Sequence, residues 1–158
     1  MVAGERMALG LEQAPMADLG VVHHLPSGDH HAGGDARSGE QFDPAFLAIA
    51  PNNRITAIVD HAPPDGGAPL AMMESGAILL YLAGKTGRFY PHDLRGRAEV
   101  VQWLFWQMAG LGPMAGQTHH FLHYAPEPIP YAIDRYVRET GRLYGVLNKR
   151  LADREFVA

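Results

Sequence analysis

The sequence predicts an α+β chain in which a small strand-and-helix unit is followed by an all-helical one. Three observations carry that prediction. Residues 39–87 break into short segments set apart by Pro, Gly and Asp, two of them strand-like. From Asp93 onward the apolar residues recur at spacings of three and four, the period of a helix. Ahead of both, residues 15–38 are dense in Gly, Asp and His and sustain neither period, with Val21-Val22 as an apolar pair. That stretch reads as a loop or disordered segment containing no strand.

Each element has its own local reason. Asp43-Pro44 is a helix start, a carboxylate N-cap followed by Pro at the first helical position, and the short helix ends before Pro51. Residues 55–60 (ITAIVD) are strand-like. Pro63-Pro64 and Asp65-Gly66-Gly67 then read as a hairpin connection to a second strand at 69–73. Glu74-Ser75 opens a helix carrying Ile78, Leu79 and Leu82, with Gly87 as its C′ stop. Tyr90-Pro91-His92-Asp93 is the expected domain boundary. Beyond it Val100, Leu104, Met108 and Leu111 share a helix face that Gly110, Gly112 and Pro113 are expected to kink or break. A last helix begins near Tyr131, with Ile133, Tyr136, Val137, Leu143, Tyr144, Leu147 and Leu151 in helical register. A sheet of two strands is marginal by itself, so the first unit needs further strands or firm packing on its helices.

Composition narrows the function. The chain has 158 residues, 47% hydrophobic and 19% charged, an ordinary globular balance. A net charge of -4 argues against nucleic acid or an anionic membrane as partner. The chain contains Cys 0, which excludes a disulfide framework and a cysteine nucleophile, so any thiol chemistry must use the thiol of a ligand. No apolar run is long enough to span a membrane, and no signal peptide is apparent, which makes the cytoplasm the expected compartment. His119 and His123 stand four apart in an H-H-x-x-H run, on one helix face as a zinc pair would be. No Glu follows the first His as a metalloprotease requires, and no metal site is expected. Trp103, Phe105, Trp106, Met72 and Met73 read as core or interface packing.

Glu74 and Ser75 stand at a strand-to-helix turn, where unpaired N–H groups and the positive helix end attract a carboxylate. On the residues alone, Ser75 as a helix cap and Glu74 as a dipole partner is the favoured reading, with ligand binding the alternative.

Four runs resolve the choice: GEQFDPAFLAIAPNNRITAIVDH, MESGAILLYLAGKTGRFYP, QWLFWQMAGLGPMAGQTHHF and RLYGVLNKRL. ESGAILLYL resembles glutathione transferases at large. GLGPM-x-GQ-x-HHF with the following IPYAI-x-RY resembles the nu-class bacterial glutathione S-transferases, the disulfide-bond reductase type, from residue 39 to the end. The resemblance implies a partial thioredoxin-like domain, then an incomplete all-α glutathione-transferase domain. Residues 1–38 would be a divergent or disordered remnant of the first, 39–89 its remainder, and 90–158 the truncated helical domain. It implies glutathione as substrate and a homodimer as the assembly. It further implies that Glu74 takes the γ-glutamyl ammonium and Ser75 its carboxylate. Ile55 would pair its backbone with the cysteinyl part, Gln41 would stand near the glycyl end, and Arg135 would reach the neighbouring subunit's ligand. The family's HH pair carries no metal.

The chain also departs from the family pattern. GERMALGLEQA at 4–14 resembles the family's first helix, which puts Met1, Val2 and Ala3 where a Thr-Pro-Asn motif holds the reactive sulfur as thiolate. Without that hydroxyl and amide the thiol is a weaker nucleophile. Thr56 replaces a cis-proline, so a trans bond is expected there. The family activity, glutathione conjugation or glutathione-dependent disulfide reduction, is therefore expected to be impaired and no catalytic residue is assigned. The alternatives are a non-catalytic glutathione-binding or scaffold protein and a non-functional gene fragment.

Overall fold

The computed structural model describes residues 19–20 and 39–158, and the chain divides into two compact units, Met1–Thr86 and Gly87–Ala158. The expectations placed on residues 1–18 and 21–38, including Met1, Ala3 and the first-helix likeness, lie outside the described residues.

In the first unit a 3-10 turn at Glu40–Phe42 leads into α1, Pro44–Leu47. Asp43 caps α1 as its position before Pro44 predicts, its Oδ1 accepting from the Ala45 N–H at 2.8 Å. Strands β2 (Ala57–Asp60) and β3 (Leu70–Met73) pair antiparallel, Ala57 opposite Met73 and Asp60 opposite Leu70. The connection between them turns at Gly66, whose φ of 70° needs a residue without a Cβ, and the Asp65 carboxylate accepts from the Gly67 N–H at 2.9 Å. Phe46 of α1 and Ala50 just beyond it pack on Ala57 of β2, with Ile49 and Met73 at the edge. Helix α2, Ser75–Thr86, follows β3 and ends at Gly87, φ 64°.

The expectation of no strand within 15–38 is overturned. Leu19–Gly20 forms β1, antiparallel to β2, with Leu19 opposite Asp60 and Gly20 opposite Val59. The outer edge of β2 presents main-chain groups that need partners, and two residues of backbone satisfy some of them. A strand of two residues has no period to read, which is why the sequence concealed it. The sheet therefore has three strands, in the order β1-β2-β3.

Asp60 ties the sheet to α2. Its side chain is fully buried, and both carboxylate oxygens accept from Lys85 Nζ, at 2.7 and 2.6 Å. Tyr81 donates its hydroxyl at 2.5 Å and the Ala62 N–H donates at 3.0 Å. Lys85 also donates to the Ala62 carbonyl at 2.8 Å. A buried carboxylate is tolerated because nearly all its lone pairs are used. The Lys85 hydrogen bond, then that of Tyr81, holds the Asp60 carboxyl down at about 2 against the opposing effect of burial. The same bond, with burial, pushes the Tyr81 phenol up to about 12.

In the second unit α3 (Leu94–Trp106), a π-helical turn (Gln107–Leu111) and α4 (Gly112–His123) succeed one another without interruption. The kink or break expected at Gly110, Gly112 and Pro113 takes the form of this wide turn. Pro113 would clash with the carbonyl four residues earlier in a regular helix, and a π turn relieves the conflict while keeping the helix going. Asp93 caps α3, accepting from the Gly96 N–H at 2.9 Å. Helix α5, Pro130–Arg150, packs on α4: Phe121 stacks on Tyr136 at 5.4 Å, and the hydroxyls of Thr118 and Thr140 share a hydrogen bond of 2.8 Å. Arg150 of α5 pairs with Glu99 of α3 and lies over the Trp103 ring at 4.9 Å. No helix among the described residues is long and apolar enough to cross a membrane.

Candidate functional site

A single residue separates β3 from α2. Met73 is the last strand residue and Ser75 the first helical one, so Glu74 must reverse the chain alone, and it does so at φ 71°. The Glu74 carbonyl accepts the helix's first bond, from the Ile78 N–H at 2.9 Å. A non-glycine residue in the left-handed region costs on the order of 1–2 kcal/mol and persists where the surroundings over-determine it, most often at a ligand site.

Opposite this junction the chain enters β2 through Ile55 and Thr56. The two segments enclose a cleft of about 70 Å³, with Ile55 and Thr56 on one wall and Met73, Glu74 and Ser75 on the other. Asn52 and Arg54 complete the lining. Ile55 is 46% exposed, Glu74 and Ser75 are exposed, and the cleft opens to solvent. The described residues contain no cis peptide bond, so the bond before Thr56 is trans.

This arrangement suits an extended zwitterionic peptide. An α-helix leaves its first N–H groups without partners inside the helix and places a partial positive charge there, which favours a carboxylate. A carboxylate side chain stands beside it to receive an ammonium. Entry to a strand offers main-chain groups that can pair with an added extended segment.

Of the five residues singled out in the sequence, Ile55, Glu74 and Ser75 meet in this cleft. Gln41 does not line it. Its side chain lies in the 3-10 turn, partly buried, and Oε1 is enclosed without a hydrogen-bond partner among the described residues. Arg135 belongs to the other unit, on α5, where it lines a second cleft of about 370 Å³ with Met114, Tyr131, Tyr136 and Arg142. The His119 and His123 rings stand 4.7 Å apart, and among the described residues no three His, Cys, Asp or Glu side chains gather as a metal site would need.

Sequence reasoning missed Arg54 and the left-handed turn at Glu74. For the turn, the signal was the absence of any spacer between a strand and a helix. It also missed the Asp60–Tyr81–Lys85 cluster, which Tyr81 and Lys85 foreshadow by standing four apart on α2 behind a strand that ends in Asp.

No protein-family model matches the chain. Over 117 residues it is 67% identical to the disulfide-bond oxidoreductase YfcG of Escherichia coli, covering 74% of this chain and 54% of that protein. Over 120 residues it is 46% identical to the disulfide-bond oxidoreductase YghU of the same organism, covering 76% of this chain and 41% of that one. Its fold superimposes, with a TM-score of 0.76 at 45% identity, on a glutathione transferase of Burkholderia graminis solved with two glutathione molecules bound per subunit. That match covers 81% of this chain and 54% of the other. The chain spans about half the length of the relatives it matches.

Proposed function

This chain belongs to the glutathione-transferase family, and on that premise we propose that it binds glutathione in the cleft between Ile55 and Glu74-Ser75 and serves glutathione-dependent disulfide exchange. The observation that carries the reading is the junction of β3 and α2. There Glu74 is held in a left-handed turn, Ser75 opens a helix of twelve residues, and Ile55 faces both across one small cleft. The helix end and Ser75 take the γ-glutamyl carboxylate, Glu74 takes the ammonium, and the Ile55 backbone pairs with the cysteinyl unit.

The chain has no cysteine, so every sulfur in each exchange step comes from glutathione or the disulfide substrate. One glutathione thiolate attacks a disulfide and releases a thiol. A second glutathione attacks the resulting mixed disulfide, releasing the other thiol and leaving oxidised glutathione. We assign this chemistry to the cytoplasm, where glutathione keeps thiols reduced. Glutathione titrated calorimetrically into the full chain is expected to give saturable heat at millimolar concentration or below. A folded sample that gives none overturns the site. Turnover of a glutathione mixed disulfide then separates an enzyme of this type from a glutathione-binding protein without catalysis.

We assign a homodimer built through the helical unit, with Arg135 reaching toward the neighbouring subunit's glutathione. Support comes from the apolar surface of that unit: Phe105, Tyr124 and Tyr131 are 62%, 70% and 78% exposed. Sedimentation at micromolar concentration is expected to give a dimer, and a clean monomer contradicts the assignment.

A further inference from the structure

Helix α4 ends in a group of imidazoles that the glutathione reading does not use. His119 and His123 stand four residues apart at its C-terminal end, both exposed. Their ring centroids are 4.7 Å apart and their planes are tilted by 49°. The Tyr124 ring stands edge-on against His119 at 5.1 Å and narrows the rotamers open to it. His120, one residue on, turns instead to Phe121, also at 5.1 Å. Two features of the place favour a cation. The end of a helix carries a partial negative charge on its last carbonyls. Residues 112–123 also include no Lys or Arg, so no fixed positive charge of α4 opposes one.

We propose that His119 and His123 form a surface chelate for a divalent transition-metal ion, Cu2+ or Zn2+ rather than Mg2+, with water in the remaining positions. Neutral imidazole suits Cu2+ and Zn2+, whereas Mg2+ demands oxygen ligands. Bonds of about 2.0–2.1 Å put two adjacent ligand nitrogens about 3 Å apart. Rings whose centres lie 4.7 Å apart reach that span by rotating about χ2. The Glu missing after His119 argues against a metalloprotease but does not bear on a chelate, which needs no general base. A structural zinc site closes its coordination with four protein ligands, and among the described residues no three His, Cys, Asp or Glu side chains gather. A pair leaves positions open, so the ion bound here is exchangeable.

The test titrates Zn2+, Cu2+ and Mg2+ calorimetrically into the full chain and into His119→Ala, His123→Ala and His120→Ala, with glutathione absent. His23, His24, His30 and His31 are present in every variant, so any binding of theirs cancels from the comparison. His119→Ala and His123→Ala are each expected to weaken Zn2+ and Cu2+ binding about 10-fold or more, because the second imidazole binds intramolecularly. His120→Ala should change nothing, and Mg2+ should not bind. The two imidazoles stand one turn apart only while α4 is helical, so Zn2+ should also raise the melting temperature. That rise should survive in His120→Ala and shrink in the other two variants. His123→Ala carries the comparison should loss of the His119–Tyr124 contact unfold His119→Ala. If His123→Ala binds Zn2+ and Cu2+ as the unmodified chain does, or His120→Ala loses as much, the chelate is overturned. A rise in melting temperature as large with Mg2+ as with Zn2+ overturns it too, because screening of charge then accounts for the effect.

Discussion

Asp60→Ala should lower the melting temperature of the strand-containing unit by on the order of 10 °C, more than any other polar substitution there. Asp60 is fully buried and takes hydrogen bonds from Lys85, Tyr81 and the Ala62 N–H. Removing it strands the Lys85 ammonium beside the Ala62 carbonyl and a tyrosine hydroxyl without its acceptor. An uncompensated charge costs more than the lost pair was worth, so Asp60→Ala with Lys85→Met should melt above Asp60→Ala alone. A double variant less stable than the single one would show that Lys85 finds other partners.

The pH dependence follows from the same cluster. The Asp60 carboxyl lies at about 2 rather than its ordinary 3.8, a lowered carboxylate, so its contribution is complete above the ordinary value and lost as pH falls through the native one. Tyr81 lies at about 12 rather than 10.0, a raised acid that is neutral in the native state. Its contribution is complete below the ordinary value and lost as pH rises through the higher one. The melting difference between the protein and Asp60→Ala is therefore expected to be level from about pH 5 to about pH 9 and to shrink at both ends. A difference that stays constant down to about pH 2 would remove Asp60 from the account of acid unfolding.

Glu74→Gly should raise stability and destroy affinity together. Glu74 sits at φ 71°, where glycine carries no Cβ penalty. Against a relief of about 1–2 kcal/mol stand the extra freedom of glycine in the unfolded chain and a few tenths from the acidic side chain at a helix start. The net gain is about 0.5 kcal/mol, a rise of about 2–4 °C in melting temperature. Glutathione affinity should meanwhile fall roughly 10–100-fold, because the lost contact is a hydrogen bond between charged groups. Glu74→Gln keeps the strained backbone and removes the charge, so it should lose affinity without the gain in stability. Should Glu74→Gly melt lower while binding glutathione normally, the turn is not a strained ligand clamp.

The helix starts at Asp43 and Asp93, the Gly87 stop and the hairpin around Gly66 were written in the sequence, because caps and turns depend on neighbours within a few residues. The family was written there too, in runs whose residue types recur in order along the chain. Glu74 and Ser75 were legible as a pair for the same reason. Tertiary structure decided what depends on distant partners or on backbone alone. β1 exists because the edge of β2 offers main-chain hydrogen bonds, whatever the side chains of Leu19–Gly20. The π turn absorbs Pro113, which local rules read as a kink or a break without choosing between them. Asp60 reads as the polar end of a strand until Tyr81 and Lys85 close over it from α2. Arg54 reads as one more surface arginine until folding sets it beside Glu74 and Ser75, with its charge unmatched by any carboxylate among the described residues. Local chemistry is carried by neighbours in sequence, whereas burial and charge balance belong to neighbours in space.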